Sequence, residues 1–235
     1  GRGKYKEPVE PDTSSLPELP EGWVWCSTGQ LSNVQTGATP KRGESRYYDG
    51  GTIPWVTSTA VNNEVIVTPQ DYITEDALRE TNAKVFPSGT LIVAMYGEGQ
   101  TRGRVSELGI PAATNQACAA LLVEHLSDPV CRFLKIHYQF NYESIRMLSS
   151  GGVQPNLNLG LIKQTPVPLA SEEELAEVVR RVAEEMGRVQ EVGNLCEEGL
   201  RRSAALRQAI LRDAFAGKLV PQDPNDEPAS ELLAR

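Results

Sequence analysis

From Leu175 onward the apolar positions fall at steps of three and four. They are Leu175, Val178, Val179, Val182, Met186, Val189, Val192, Cys196, Leu200, Leu206 and Ile210, with one six-residue gap. That spacing marks one face of a helix over residues 171–216, about 45 residues and ~70 Å long at 1.5 Å per residue. Ser171 followed by Glu172, Glu173 and Glu174 predicts a capping box, with acids at the positive end of the helix. Gly217 predicts its stop, and Pro221, Pro224 and Pro228 prevent its return, leaving residues 217–235 as a Pro-rich tail. No Pro interrupts the helix, although Gly187, Gly193 and Gly199 weaken it or admit another backbone. A domain of roughly 40 Å cannot cover a stripe of that length, so a partner helix is expected.

The preceding residues follow another rhythm. Over residues 1–20, Pro8, Pro11, Pro17 and Pro20 fix φ at several points, which predicts an extended linker. Residues 21–170 alternate short apolar runs with turn signals. Residues 52–57 and 90–96 read as strands, the second buried on both faces; Pro54 places the first at a sheet edge or at a strand start. Residues 117–123 fit a strand or a helix. Asp128 and Pro129 open a helix to about Tyr142, with Pro in the first turn. The fold class expected is α+β: a globular domain of mixed short strands and helices, then one long helix forming a coiled coil.

Charge changes this picture less than it first suggests. The 235 residues carry a net charge of −8, unlike chains that coat nucleic acid by bulk electrostatics. Residues 21–170, however, hold 13 acids against 11 bases, and residues 171–216 hold 10 against 7. The globular segment is nearly neutral and has room for a local basic groove. Cys26, Cys118, Cys131 and Cys196 form no close pair, and neither His125 nor His137 stands at ligand spacing from one. Zinc-finger and Cys-X-X-Cys readings fall away, and free thiols in a reducing compartment are expected. With no apolar run near the ~20 residues of a membrane span and no signal peptide, the chain is expected to be cytoplasmic. Because it opens at Gly1 rather than Met, a fragment of a longer polypeptide is also an expectation.

Two polar clusters invite a binding role. Lys41, Arg42, Arg46 and Tyr47, with Tyr48, follow Gly37, Ala38, Thr39 and Pro40. Bases, aromatics and turn residues in one stretch suit contact with a nucleic-acid backbone and its bases; equally, they describe a solvated loop whose tyrosines pack inward. The glycine-rich stretch 96–104 fails as a nucleotide loop, since Arg102 stands where a dinucleotide motif needs Gly and no Gly-Lys-Ser/Thr occurs. As a loop between strands it still gathers Gln100, Thr101, Arg102 and Arg104, side chains able to fork onto phosphate, guanine or adenine edges. Thr57 and Ser58 either contact phosphate or cap the next helix; Asn115 and Gln116 either read bases or hold a turn. Residues 149–156 read as a polar connector. No serine elbow, carboxylate pair or His-centred metal spacing appears, nor the Asn/Asp-Pro-Pro-aromatic run of an adenine methylase, so no catalytic residue and no metal are expected.

Several stretches, taken in order, resemble one family. Lys4, Tyr5, Lys6, Glu7 and Pro8 lead to Leu16, Pro17, Glu18, Leu19, Pro20, Glu21, Gly22 and Trp23. Then come Gly37 to Pro40 in sequence positions 37–40, Ile53, Pro54, Trp55 and Val56, Met95, Tyr96 and Gly97, Thr101, Arg102 and Gly103, and Thr114, Asn115, Gln116 and Ala117. Residues 206–211 (Leu206, Arg207, Gln208, Ala209, Ile210, Leu211) and 214–224, opening at Ala214 and Phe215, complete the series. The chain thus resembles the specificity (S) subunit of type I restriction–modification systems, over essentially its whole length. The family pairs two target-recognition domains with two long helices. One of each here resembles a half subunit, its C-terminal half in the simplest reading.

The resemblance implies a non-catalytic protein whose recognition domain reads half of a split double-stranded DNA site. It implies long helices that pack antiparallel, set the half-site spacing and dock methyltransferase (M) subunits, which bind S-adenosylmethionine and methylate adenine; this chain itself is expected to hold no cofactor. The restriction (R) subunit joins through the complex. A second half subunit or a second copy of this chain is expected on the long helix, and no membrane. Two alternatives remain: the recognition portion of a fused restriction–methylation enzyme, and a coiled-coil adaptor without a DNA role.

Overall fold

The computed structural model describes residues 8–97, 100–147 and 156–235. Parts of the expected linker and of the resemblance (residues 1–7), Glu98 and Gly99 of the glycine-rich stretch, and most of the polar connector (148–155) lie outside the described residues. In chain order the elements are β1 (Val24–Ser27), α1 (Thr28–Leu31), β2 (Asn33–Thr36), β3 (Ile53–Val56), β4 (Val65–Ile66), β5 (Asp71–Ile73) and α2 (Glu75–Glu80). They continue as β6 (Val85–Phe86), β7 (Leu91–Ala94), β8 (Val105–Leu108), β9 (Ala112–Thr114), β10 (Cys118–Leu122), α3 (Asp128–Phe140) and α4 (Tyr142–Met147). The last are α5 (Leu159–Gln164), β11 (Pro166–Leu169), α6 (Glu172–Phe215) and α7 (Ala229–Ala234). The chain divides into two units, Gly1–Arg180 and Arg181–Arg235, with α6 running through the division. The fold is mixed α+β with one long helix.

Within the first unit, strands order as β2-β10-β7-β8-β4 in one sheet and β5-β3-β9-β6 in another, while β1 pairs with β11. The ambiguous run at 117–123 is a strand because both of its faces are covered. Ala119 and Leu121 join Leu91, Val93, Val105, Phe133, Leu134 and Tyr138 on one side; Cys118 and Ala120 join Val56, Ile66, Phe86, Ile92 and Leu108 on the other. A strand buried on both faces needs a continuous apolar run instead of alternation, which is also how a buried helix reads. A third cluster, Tyr47, Ile53, Trp55, Ile73, Ala77, Ala83 and Ala113, lies about the second sheet.

Of the two readings of Pro54, the sheet edge is corrected, because β3 lies between β5 and β9, while the strand does start there, at Ile53. The parallel pairing of β3 with β9 begins only at Trp55, so Pro54 interrupts no ladder on that side. Cys26 and Cys118 are buried free thiols, and burial pushes their pKa up to about 11 and about 12. Cys131 is half-buried and Cys196 exposed.

The long helix starts and stops as its sequence signals direct, with one difference. The Ser171 hydroxyl accepts from the Glu174 N–H at 3.3 Å, but the Glu174 carboxylate accepts from Trp23 Nε1 at 2.9 Å instead of closing the capping box. Trp23 also meets Phe133 edge-on, so a side chain expected to serve the helix end ties it to the domain. At the far end Gly217 takes φ +66, Lys218 N–H donates to Asp213 O and Gly217 N–H to Ala214 O, the paired bonds of a Schellman stop. The tail is not wholly irregular, because α7 forms after Pro228. Along the stripe, Leu175 is buried and Val178, Val179 and Val182 are half-buried, whereas Met186, Val189, Val192, Cys196, Leu200, Leu206 and Ile210 are exposed. Among the described residues no helix is long and apolar enough to cross a membrane.

Candidate nucleic-acid interface

Three stretches far apart in sequence meet at the end of the second sheet. Gly37 passes so close to Thr114 that a Cβ there would overlap the Thr114 carbonyl and hydroxyl oxygens. Thr36 Oγ1 donates to Cys118 O at 2.9 Å, and Thr39 Oγ1 donates to the side-chain carbonyl of Gln116. Trp55 Nε1 donates to Ala38 O at 3.2 Å, and the Tyr48 hydroxyl to Pro40 O at 2.6 Å. The loop at 37–48, strand β3 and the turn at 115–116 are thereby one surface. No separation along the chain would show this.

The basic cluster on that loop is not a positive patch. Lys41 Nζ lies 3.1 Å from Glu44 Oε1, Arg42 Nη1 3.3 Å from Asp71 Oδ2, and Arg46 Nη2 2.8 Å from Glu80 Oε2. Three cations thus face three carboxylates and the local charge cancels, against the reading of a basic phosphate-binding stretch. The Glu80 carboxylate holds the Arg46 guanidinium above its ordinary pKa, with Tyr47 and Glu44 adding to it. Both Arg46 Nη atoms reach Glu80, at 3.3 and 2.8 Å, and Nη2 also donates to the Tyr47 hydroxyl at 3.1 Å. Tyr47 packs inward: it is buried, and its hydroxyl donates to Glu80 Oε2 at 3.1 Å.

Arg42 is arranged differently. Its guanidinium carbon stands 5.0 Å from the Trp55 ring centre and 5.4 Å from that of Tyr48, a cation–π seat on two rings. Burial raises the Tyr48 pKa, against the lowering influence of Arg42.

The remaining candidates separate. Asn115 holds its turn: Oδ1 accepts from Ala117 N–H at 3.1 Å, while Gln116 is exposed beside Thr39. Thr57 stands at the head of a 3-10 turn, Ser58–Asn62, but its hydroxyl bonds Thr59 at 2.8 Å and caps nothing. Its N–H donates to Gln70 Oε1, and Ser58 is half-buried. Gln100, Thr101, Arg102 and Arg104 form a second cluster on the connection between the antiparallel strands β7 and β8. There Arg104 donates to Gln100 Oε1 at 2.9 Å, and Tyr142 of α4 donates to Gln100 O at 2.9 Å. A cleft of about 390 Å³ opens beside it, lined by Asn62, Asn63, Arg104, Gln139 and Tyr142 among others. Among the described residues no group of three His, Cys, Asp or Glu could hold a metal.

Sequence reasoning missed Asp71, Trp55, Tyr142, Asn62 and Asn63 as neighbours of these clusters. For Asp71 and Trp55 a signal existed: they are opposite partners in the antiparallel β3–β5 pair, so they share a face. Reading it requires knowing the register first.

Comparison with known proteins identifies the family. Residues 20–182 match the family model described as the type I restriction modification DNA specificity domain. The chain is 24% identical over 193 residues to the Escherichia coli type I restriction enzyme EcoR124I/EcoR124II specificity subunit, covering 80% of this chain and 46% of that one. It is 25% identical over 176 residues to the MjaIX specificity subunit of Methanocaldococcus jannaschii, covering 73% and 39%. The chain therefore spans less than half the length of these curated relatives. Its fold is similar to that of the HsdS subunit from Thermoanaerobacter tengcongensis, with a TM-score of 0.62 at 19% identity, covering 88% of this chain and 48% of that one. A chain solved in a study of assembly and conformational transition of the type I restriction–modification system gives a TM-score of 0.67 at 20% identity, with 88% and 49% covered. With the matched model spanning both sheets and the root of α6, the chain belongs to the type I restriction–modification DNA specificity domain family.

Proposed function

We propose that this chain is a DNA-recognition half: its first unit reads one part of a bipartite double-stranded site, and α6 packs against a second long helix and docks a methyltransferase subunit. Catalysis belongs to the partners in this reading. The methyltransferase supplies S-adenosylmethionine and methylates adenine, a restriction subunit joins through the complex, and the assembly works in the cytoplasm. The observation that carries the proposal is the division along α6. Its first turns are bound into the domain through Leu175 and the Trp23–Glu174 bond, while Met186, Leu200 and Leu206 on the same stripe stand more than half exposed. An apolar face of that length calls for another helix, and a second copy of this chain or a second half subunit fits it. Two copies paired symmetrically would read two copies of one half-site, hence a palindromic split target.

The test is reconstitution of the chain with the methyltransferase subunit of its own system, followed by mapping of modified adenines. One interrupted motif, palindromic if the chain pairs with itself, is the expected product. Modification without sequence preference would end the proposal.

A further inference from the structure

We infer that Arg42, aimed by Asp71 and seated on Trp55 and Tyr48, is the side chain that selects guanine at one position of the half-site. This rests on the DNA-recognition reading above. Four features carry it.

First, the seat is rigid. Trp55 is 1% exposed and bonded to Ala38, and Tyr48 is bonded to Pro40, so neither ring can follow the guanidinium if it moves. Second, the aiming carboxylate is itself fixed. Asp71 Oδ1 accepts the Tyr72 N–H at 2.9 Å, and Oδ2 receives Arg42. Asp71 also stands opposite Trp55 in the β3–β5 ladder, so ring and carboxylate present from one face. Third, the fork is left with capacity. Arginine has five N–H donors, and the described bond to Asp71 commits one Nη while the side chain stays 61% exposed. Arg46, by contrast, gives both Nη atoms to Glu80.

Fourth, the charge balance decides between phosphate and base. Phosphate affinity comes from net positive charge that displaces counterions. An arginine beside a half-exposed aspartate offers little of that, and the carboxylate repels the backbone. What such a pair retains is donor geometry: a planar fork, pre-oriented, that matches the O6 and N7 acceptors of guanine. Neutralisation weakens the one use and leaves the other intact.

The chain, reconstituted with its methyltransferase subunit, is assayed for binding to its mapped site and to every single-base variant of that half-site, at two salt concentrations. Arg42→Lys, which keeps the charge and loses the fork, is expected to lose about tenfold to a hundredfold of the preference for G at one position and to keep the others. Arg42→Gln is expected to change the same position, which guards against one variant being misfolded. Asp71→Asn is expected to reduce that preference by less, and to steepen the salt dependence by about one phosphate contact. The inference is overturned if the Arg42 variants weaken all sequences alike, or if every position keeps its wild-type discrimination. Wild-type binding without any sequence preference would instead remove the DNA-recognition reading itself.

Discussion

Leu175 and Leu200 lie on the same stripe of α6, and truncating each to Ala separates what the domain covers from what stays exposed in the single chain. Leu175 is fully buried, in the cluster formed with Phe133, Leu134, Ile162 and Val167. Removing three carbons there forfeits the transfer free energy and leaves a cavity that strand β11 and α3 cannot close, at about 2–5 kcal/mol. Leu200 is 72% exposed, so Leu200→Ala removes no buried contact from the single chain. Ala is moreover the better helix former by a few tenths of a kcal/mol. If a second helix covers this face, that residue buries fully in the assembly and its loss costs roughly 1.5–3 kcal/mol of association. Urea unfolding followed by circular dichroism at several protein concentrations reads both effects. Leu175→Ala lowers the midpoint by the same amount at every concentration, whereas Leu200→Ala reduces the concentration dependence and weakens self-association in sedimentation. A concentration-independent loss above ~1 kcal/mol for Leu200→Ala, or no loss for Leu175→Ala, would refute the division of the stripe.

Two further outcomes follow from the core. Gly37→Ala drives a Cβ into the Thr114 backbone, and thermal melting is expected to show a loss of at least ~3 kcal/mol, while Gly43→Ala, with open space around it, stays within about 0.5 kcal/mol of the parent. His137 sits in a partly buried site where its Nε2–H donates to Pro166 O at 2.8 Å and Nδ1 accepts from Asn141 Nδ2 at 3.1 Å, an arrangement that suits the neutral ring. Burial lowers its pKa below the ordinary 6.5, against the raising influence of the Pro166 carbonyl. The unfolded chain therefore takes up the proton first. Stability associated with His137 is complete above pH 6.5, falls as pH drops below it, and levels off beneath the folded pKa. Denaturant midpoints at pH 7.5 and 5.5 are expected to differ less in His137→Asn than in the parent.

Local physics made some of this molecule readable from its residues. The long helix, its Ser171 start and its Gly217 stop depend on period and on hydrogen bonds within a turn, and the strands at β3 and β7 depend on composition over a few residues. The grouping of Gly37, Trp55 and Gln116 does not, since each stretch alone is a common turn or strand. The run at 117–123 resolved into a strand only because two layers cover it.

What the sequence by itself determined is what spacing carries: short strands followed by one long helix with an apolar stripe. Tertiary structure decided the pairing of the two arginines at the candidate site. Lys41 meets Glu44 three residues on, but Arg42 and Arg46 read as basic until folding sets Asp71 and Glu80 against them, 29 and 34 residues away. Coulomb interaction depends on distance in space, which only the sheet register and the packing of α2 establish. The separate β1–β11 pairing sets Val24 opposite Leu169, and next to it the Glu174 carboxylate meets Trp23, 151 residues earlier, instead of its own helix end. Period is a property of neighbours along the chain, but ionic pairing is a property of the fold.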